Sequence, residues 1–248
     1  MNLEGKGAIV TGASSGIGEA TAIALAKEGV NVMLTARRED KLRDLADRIN
    51  DIGKGKAIYS ATDVTNREEV EKSANKAKEE FGGIDILINN AGVMHLSMID
   101  KLWVDEWDNM IDVNIKGVMY NAAAALPSMI EKKGGHIVNI SSVAGRRVMK
   151  GGSVYSATKY AVRAFSEGLR QEFSPSHGIR VTCIEPGAVA TELGQHINDQ
   201  DIIKAWQSRF GDLTTMESED IADAIVYAIK QPQRVSAHEI LLYPTEQM

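Results

Sequence analysis

The sequence carries one cysteine, Cys183, among 248 residues, so no disulfide can form within it and no thiolate cage for zinc exists. Its five histidines show no metal-ligand spacing, so no metal site is expected. A basic excess is also missing: Lys+Arg total 28 against 34 Asp+Glu, a formal net charge of −6. That balance argues against a nucleic-acid partner, which leaves a basic footprint. No run approaches the roughly 18 apolar residues of a membrane span, and residues 1–7 lack the apolar core of a signal peptide. The expectation is a soluble, cytoplasmic protein with neither a nucleic-acid nor a membrane partner. No Pro/Gly/Ser-rich linker, charge block or internal repeat divides the chain.

What is present is an alternation. Short apolar runs recur at 8–10, 30–34, 57–59, 84–88, 136–140, 179–184 and 239–242, with helical patterns between them. Strand runs alternating with helical patterns indicate βαβ units and a parallel sheet. The fold class expected is α/β: a single doubly wound Rossmann-type domain over 1–248, a seven-stranded parallel sheet with helices on both faces. Helix punctuation agrees. A helix over 16–28 ends at Gly29, a favoured residue just past a C-terminus. Thr65-Asn66-Arg67-Glu68 reads as a capping box opening the next helix. Further helices are expected over 105–126, stopping near Pro127, over 155–173, stopping before Pro175, and over 219–230, stopping before Pro232.

Between the first strand and first helix lies Thr11-Gly12-Ala13-Ser14-Ser15-Gly16-Ile17-Gly18. A dinucleotide pyrophosphate sits at this place in such folds, held by backbone N–H groups and the helix N-terminus. Gly12 would permit the tight turn, Gly16 the approach of backbone to phosphate, and Gly18 close packing of helix on sheet. A glycine-rich turn serving geometry alone is the competing reading. At the end of the second strand, where an acidic residue would hold the ribose 2′-hydroxyl of NAD, stands Ala36, followed by Arg37 and Arg38. A guanidinium there can pair with a 2′-phosphate, each such bond contributing about 1.5–3 kcal/mol. Otherwise the two arginines are a solvated pair opening a polar helix. The cofactor expected is NADP(H), with Arg37 the main contact and Arg38 the helper.

The Gly-x-x-x-Gly-x-Gly spacing is that of the short-chain dehydrogenase/reductase family. Three further segments strengthen the resemblance: Asn89-Asn90-Ala91-Gly92, the Tyr155-Ser156-Ala157-Thr158-Lys159 run, and Pro186-Gly187. Order and separation match over essentially the whole chain. The C-terminal Glu239–Gln247 stretch, Gly151–Lys159 and Arg209-Phe210-Gly211-Asp212 are similar to the branch of NADP-dependent 3-hydroxy-acid (serine-type) dehydrogenases.

The resemblance implies a catalytic group of Asn114, Ser142, Tyr155 and Lys159. Tyr155 and Lys159, four apart on a helix, share a face. Hydride transfer to a carbonyl leaves an oxygen that must be protonated, and a tyrosine titrates near 10. Lys159 and the positive nicotinamide would together favour the phenolate, making Tyr155 an acid or base near neutral pH. Ser142, thirteen positions before Tyr155, would stabilise the developing charge, with Ser141 the lesser alternative. Asn114 would hold a water leading from Lys159 to solvent. Cofactor contacts implied are Gly12, Ser14, Ser15, Gly16, Ile17, Gly18, Arg37, Arg38, Asp63 and Val64 at the adenine, Asn90, Tyr155, Lys159, Pro186, Gly187, Val189 and Thr191.

The substrate side is less legible. The stretch 187–216 reads as a lid. Arg146, Arg147 and Lys150 would either attract an anionic substrate or form a solvated basic loop. The expected activity is NADP(H)-dependent interconversion of a secondary alcohol or hydroxy acid, a small molecule, and its carbonyl form, and the family resemblance implies a homotetramer. The alternatives are an oxoacyl-carrier-protein reductase and a non-catalytic NADP-binding module. Leu242-Tyr243-Pro244, where carrier-protein reductases carry Asp-Gly-Gly, counts against the first. The joint presence of Ser142, Tyr155 and Lys159 counts against the second.

Overall fold

Each of the short apolar runs pairs edge to edge with its neighbours. The computed structural model describes residues 1–211 and 213–247, with Arg209 and Phe210 described by backbone alone. The strands are β1 (Gly7–Thr11), β2 (Asn31–Ala36), β3 (Ala57–Ala61), β4 (Ile86–Asn89), β5 (Gly135–Ile140), β6 (Ile179–Pro186) and β7 (Glu239–Leu242). They form one seven-stranded sheet in the order β3-β2-β1-β4-β5-β6-β7. Every neighbouring pair is parallel. The chain builds outward from β1 to β3, then returns to the other side of β1 with β4. At that reversal the loops leaving β1 and β4 diverge and leave a crevice at the carboxyl ends of the strands.

The helices are α1 (Gly16–Lys27), α2 (Glu39–Ile52), α3 (Arg67–Phe81), α4 (Val104–Ile111), α5 (Gly117–Glu131), α6 (Ser153–His177), α7 (Gln200–Phe210) and α8 (Ser218–Lys230). Side chains alternate across a strand, so each face of the sheet has its own core. Val10, Leu34 and Ile88 pack with Leu25, Leu42, Ile49 and Ile225 from α1, α2 and α8. Their neighbours Ile9, Met33 and Leu87 pack on the other face with Ala77, Ala125, Met129 and Leu169 from α3, α5 and α6. Each fully buried Leu or Ile contributes about 2 kcal/mol. A third cluster, with Met94, Leu96, Met110, Tyr155, Ile197 and Ile202, lies among the loops and helices that follow the strands.

Several boundaries differ from those read in the sequence. α5 runs past Pro127 to Glu131, and α6 past Pro175 to His177. At Pro127 tertiary contacts outweigh the proline. Beyond Pro127, Met129 is buried and the Ser128 hydroxyl accepts from the Ile84 N–H at 2.8 Å. Beyond Pro175, left-handed Gly178 ends the helix and Ser174 Oγ donates to Ile179 O at 2.6 Å. The α3 cap is Asn66 rather than Thr65. Asn66 accepts from the N–H groups of Glu68 and Glu69 and donates to Glu69 Oε1, while Thr65 is bonded to Asp63. Pro186 is the last residue of β6 rather than the first after it. No helix among the described residues is long and apolar enough to cross a membrane.

Candidate functional site

The loop after β1 is held in shape by the loop after β4. Gly12 has φ +64°, a left-handed conformation that favours glycine. Asn90 Nδ2 donates to Thr11 O at 2.9 Å and Gly12 O at 3.2 Å, and Asn90 N donates to Thr11 Oγ1 at 3.0 Å. A Cβ on Gly18 would fall 2.3 Å from Gly12 O and 2.5 Å from Asn90 Nδ2. The three glycines and Asn90 are therefore one packed unit. Ser15 stands at the N-cap of α1 with no side-chain cap bond, which leaves first-turn N–H groups for an anion.

A cavity of about 640 Å³ runs from this loop across the sheet ends. One end is bounded by Gly12, Ser14, Ser15, Gly16, Ile17, Arg37, Arg38, Asp63 and Val64. The other is bounded by Ser142, Tyr155 and Lys159, with Asn90, Pro186, Gly187, Val189 and Thr191 between. Gly18 and Asn114 are not on its wall; both act on residues that are. The size suits a large organic ligand.

The two arginines differ. Arg38 donates to Ser14 Oγ from Nε (3.1 Å) and Nη2 (2.9 Å), and to Ser15 Oγ from Nη2 (2.8 Å). Its Nη1 lies 3.0 Å from Glu192 Oε2. Arg37 is exposed and has no hydrogen bond or ion pair with any described residue. Asp63 Oδ1 accepts from Thr65 N at 2.9 Å and Thr65 Oγ1 at 2.8 Å, so it shapes the turn into α3 while facing the cleft.

The neighbouring serines face apart. Ser141 is buried and its Oγ donates to Lys159 O at 2.9 Å, which ties β5 to α6. Ser142 Oγ lines the cavity, accepts from Ala144 N at 3.1 Å and meets the Tyr155 hydroxyl. Lys159 Nζ donates to Ile140 O at 3.0 Å and lies 5.7 Å from the centre of the Tyr155 ring. Burial pushes the Tyr155 hydroxyl up to about 12, against the lowering effect of the Ser142 hydrogen bond. Burial also brings the Lys159 ammonium down to about 8. In the chain without its cofactor, desolvation of the buried phenol is the larger influence on Tyr155.

Asn114 sits in a π-helical turn, Asp112–Lys116, joining α4 to α5. Its Oδ1 accepts from Val93 N at 2.9 Å, and its Nδ2 donates to Val93 O at 2.9 Å and Thr158 Oγ1 at 3.1 Å. The side chain clamps the loop after β4 to α6. A Cβ on Gly92 would lie 3.4 Å from Asn114 Oδ1 and 3.6 Å from Lys159 Nζ, so bare backbone separates the two.

The anion reading of the basic loop is corrected. Arg146 Nη2 lies 2.6 Å from Oε2 of wholly buried Glu185, and Arg146 also pairs with Glu239. Arg147 and Lys150 are exposed and off the cavity wall. A buried acidic partner 39 residues away is not readable from local sequence. Asn109, Val113 and Glu192 on the wall were not singled out by the sequence; only the four-residue spacing of Asn109 and Val113 on a helix hinted at a shared face. His95 bonds His196 O and Asn109 Oδ1 beside the cavity. Asp212 and the side chains of Arg209 and Phe210 lie outside the described residues. Among the described residues no group of three or more His, Cys, Asp or Glu could hold a metal ion.

A reversal point at the centre of a parallel sheet, with a glycine loop braced across it, is the architecture of a dinucleotide-binding Rossmann protein. Comparison narrows this class. The family described as short chain dehydrogenase matches residues 6–202. An uncharacterized oxidoreductase of Staphylococcus aureus (strain N315) is 45% identical over 242 residues, 98% of each chain. The closed form of a serine dehydrogenase complexed with NADP+ superposes with a TM-score of 0.88 at 35% identity, covering 97% of this chain and 96% of that one. An alcohol dehydrogenase from the archaeon Thermococcus sibiricus, complexed with 5-hydroxy-NADP, gives 0.86 at 31% identity over 98% of both chains. The chain belongs to the short-chain dehydrogenase family and is an oxidoreductase.

Proposed function

We propose that this oxidoreductase uses NADP(H) to interconvert a secondary alcohol and its carbonyl form, with Tyr155 as the acid or base. The observation that carries this reading is the meeting of Ser142, Tyr155 and Lys159 at one end of a cleft whose other end is the phosphate loop.

The residues present fit NADP(H). Ala36 offers no carboxylate to repel a 2′-phosphate, Arg37 is free to receive one, and the α1 N-terminus accepts the pyrophosphate. Gly12, Ser14, Ser15, Gly16 and Ile17 would hold the phosphates, with Gly18 and Asn90 keeping that loop in shape. Asp63 and Val64 would flank the adenine. Pro186, Gly187, Val189 and Thr191 would border the nicotinamide, and Lys159 its ribose. The bound nicotinamide supplies or accepts the hydride. Ser142 Oγ donates to the substrate oxygen, and Tyr155 delivers a proton to that oxygen in reduction and removes it in oxidation. Positive charge from Lys159 stabilises the phenolate left after proton delivery. Asn114 keeps Val93 and Thr158 in place beside this group, with a proton path past Gly92 to solvent.

Support for a neutral, apolar carbonyl over a hydroxy acid comes from the wall near Tyr155. Met94, Val143, Met149, Leu193 and Trp206 line it. The only cationic side chains among the described lining residues are Lys159 and the distant Arg37 and Arg38. The segment 187–216, with α7, would act as the lid. A homotetramer in the cytoplasm is the proposed assembly, and Met119 of α5 and Tyr160 of α6 leave apolar surface exposed for contact between subunits.

The test is loss of NADPH absorbance with a panel of ketones, aldehydes and oxo acids, with Tyr155→Phe alongside. The native protein should turn over neutral ketones with NADPH better than with NADH. Tyr155→Phe should lose about 10²–10⁴ in kcat while still binding NADPH. Equal turnover by the variant would refute the role of Tyr155.

A further inference from the structure

Glu192 opens a short 3-10 turn, Glu192–His196, directly after Thr191. This turn is seated on the phosphate loop. The Thr191 methyl is 3.2 Å from where a Cβ on Gly16 would stand, so glycine there lets the two segments touch. The seating brings the Glu192 carboxylate against Ser15 and within 3.0 Å of Arg38 Nη1. Arg38 is then fully engaged: Nε and Nη2 hold the two serines of the loop, and Nη1 holds the carboxylate.

We propose that Glu192 is an internal stand-in for a cofactor phosphate, occupying Arg38 and Ser15 in the free protein and displaced when NADP(H) binds. This deepens, and rests on, the NADP(H) reading above. Three features support it. The carboxylate is an anion held where the fold favours anions, beside the N-terminus of α1. Hydrogen bonds from Ser15 and Arg38 hold its carboxyl below the usual range, so it is charged at neutral pH. The pair is also weak enough to open. Its side chains are 44% and 50% exposed, and exposed ion pairs contribute little because solvent screens them. A 2′-phosphate carries up to two negative charges against the single charge of the carboxylate, so it draws the guanidinium more strongly. Carboxylate and phosphate cannot both stay on one guanidinium without mutual repulsion.

Displacement would free the first turn of the segment, not the whole of it. Its far end remains tied elsewhere: Asn198 Nδ2 donates to Glu106 Oε1 at 2.7 Å, and Asp199 Oδ2 accepts from Met98 N at 3.3 Å. Glu192 thus couples arrival of a phosphorylated cofactor to movement of the wall that carries Leu193 and Thr191.

The experiment is calorimetric titration of NADP+ and NAD+ into the full-length protein and Glu192→Gln, with no substrate present. The variant should bind NADP+ about three- to tenfold more tightly, with a smaller gain for NAD+, which lacks the 2′-phosphate that competes for Arg38. A wild type that prefers NADP+, paired with a variant that binds it no more tightly, refutes the stand-in role alone. A wild type that prefers NAD+ refutes the cofactor reading on which it rests. The exposed position of Glu192 keeps folding intact, which a thermal melt of both proteins checks.

Discussion

Arg146 closes on the carboxylate of Glu185, its Nε donating to Oε2 at 2.7 Å, and Glu185 is wholly buried. Arg163 reaches the other oxygen at 3.3 Å, and Glu239 pairs with both arginines. Arg146 follows the 3-10 turn Val143–Gly145 that Ser142 caps, and Glu185 precedes Pro186. The pair therefore fastens the Ser142 loop to the end of β6, and makes Arg146 a positioning residue rather than a substrate contact.

Arg146→Ala leaves Glu185 buried with Arg163 as its remaining partner. Burial already raises the Glu185 carboxyl, and Arg146 opposes that rise. Removing one partner of a buried pair costs about 3–5 kcal/mol, and Arg163 should reduce this to about 1–3. Urea unfolding at pH 7 reads the loss. If Ser142 shifts as expected, kcat falls while the Kd for NADP+ does not. An unchanged unfolding midpoint would rule out the fastening role.

Arg37→Ala should separate the two dinucleotides. Arg37 has no partner among the described residues to lose, so folding is unaffected. The Kd for NADP+ should rise about ten- to a hundredfold and that for NAD+ about twofold or less. Equal effects on both would mean that Arg37 does not meet the 2′-phosphate.

His136 predicts an acid-side loss of stability. Its Nε2 bonds Thr182 Oγ1 at 2.8 Å, and that hydroxyl donates onward to Ala237 O, so Nε2 carries the proton. Burial, with the charge of Arg180 nearby, brings the imidazole down to about 3 from 6.5. The folded state stays neutral where the unfolded chain takes a proton. The stability from His136 is fully present above pH 6.5 and declines as pH falls toward 3, by up to about 1.4 kcal/mol per unit. Urea midpoints at pH 7, 6 and 5 should fall, and less steeply in His136→Gln. Identical slopes would locate the acid sensitivity elsewhere.

The strands and the glycine loop were legible because their signals are local. Apolar runs of three to six residues, a helix opening on Gly-x-x-x-Gly-x-Gly, and Tyr155 and Lys159 four apart depend only on residues close in sequence. The helix end at Pro127 was misread because local propensity stops there while buried contacts continue, and the end at Pro175 because left-handed Gly178 rather than the proline closes the helix. The choice between Ser141 and Ser142 followed from the spacing to Tyr155. What Ser141 does instead, bonding Lys159 O, depends on how β5 meets α6.

By itself the sequence determined the α/β order and the parallel sheet, since periodicity and capping are properties of short segments. Only the tertiary structure decided that Arg146 belongs to Glu185, that Asn114 clamps Val93 and that Glu192 sits on Arg38. These pairings join residues 21 to 154 positions apart, and nothing in either local sequence marks the other. The partner of a charged or amide side chain is set by which strand ends the fold brings together, and that is a property of the whole chain.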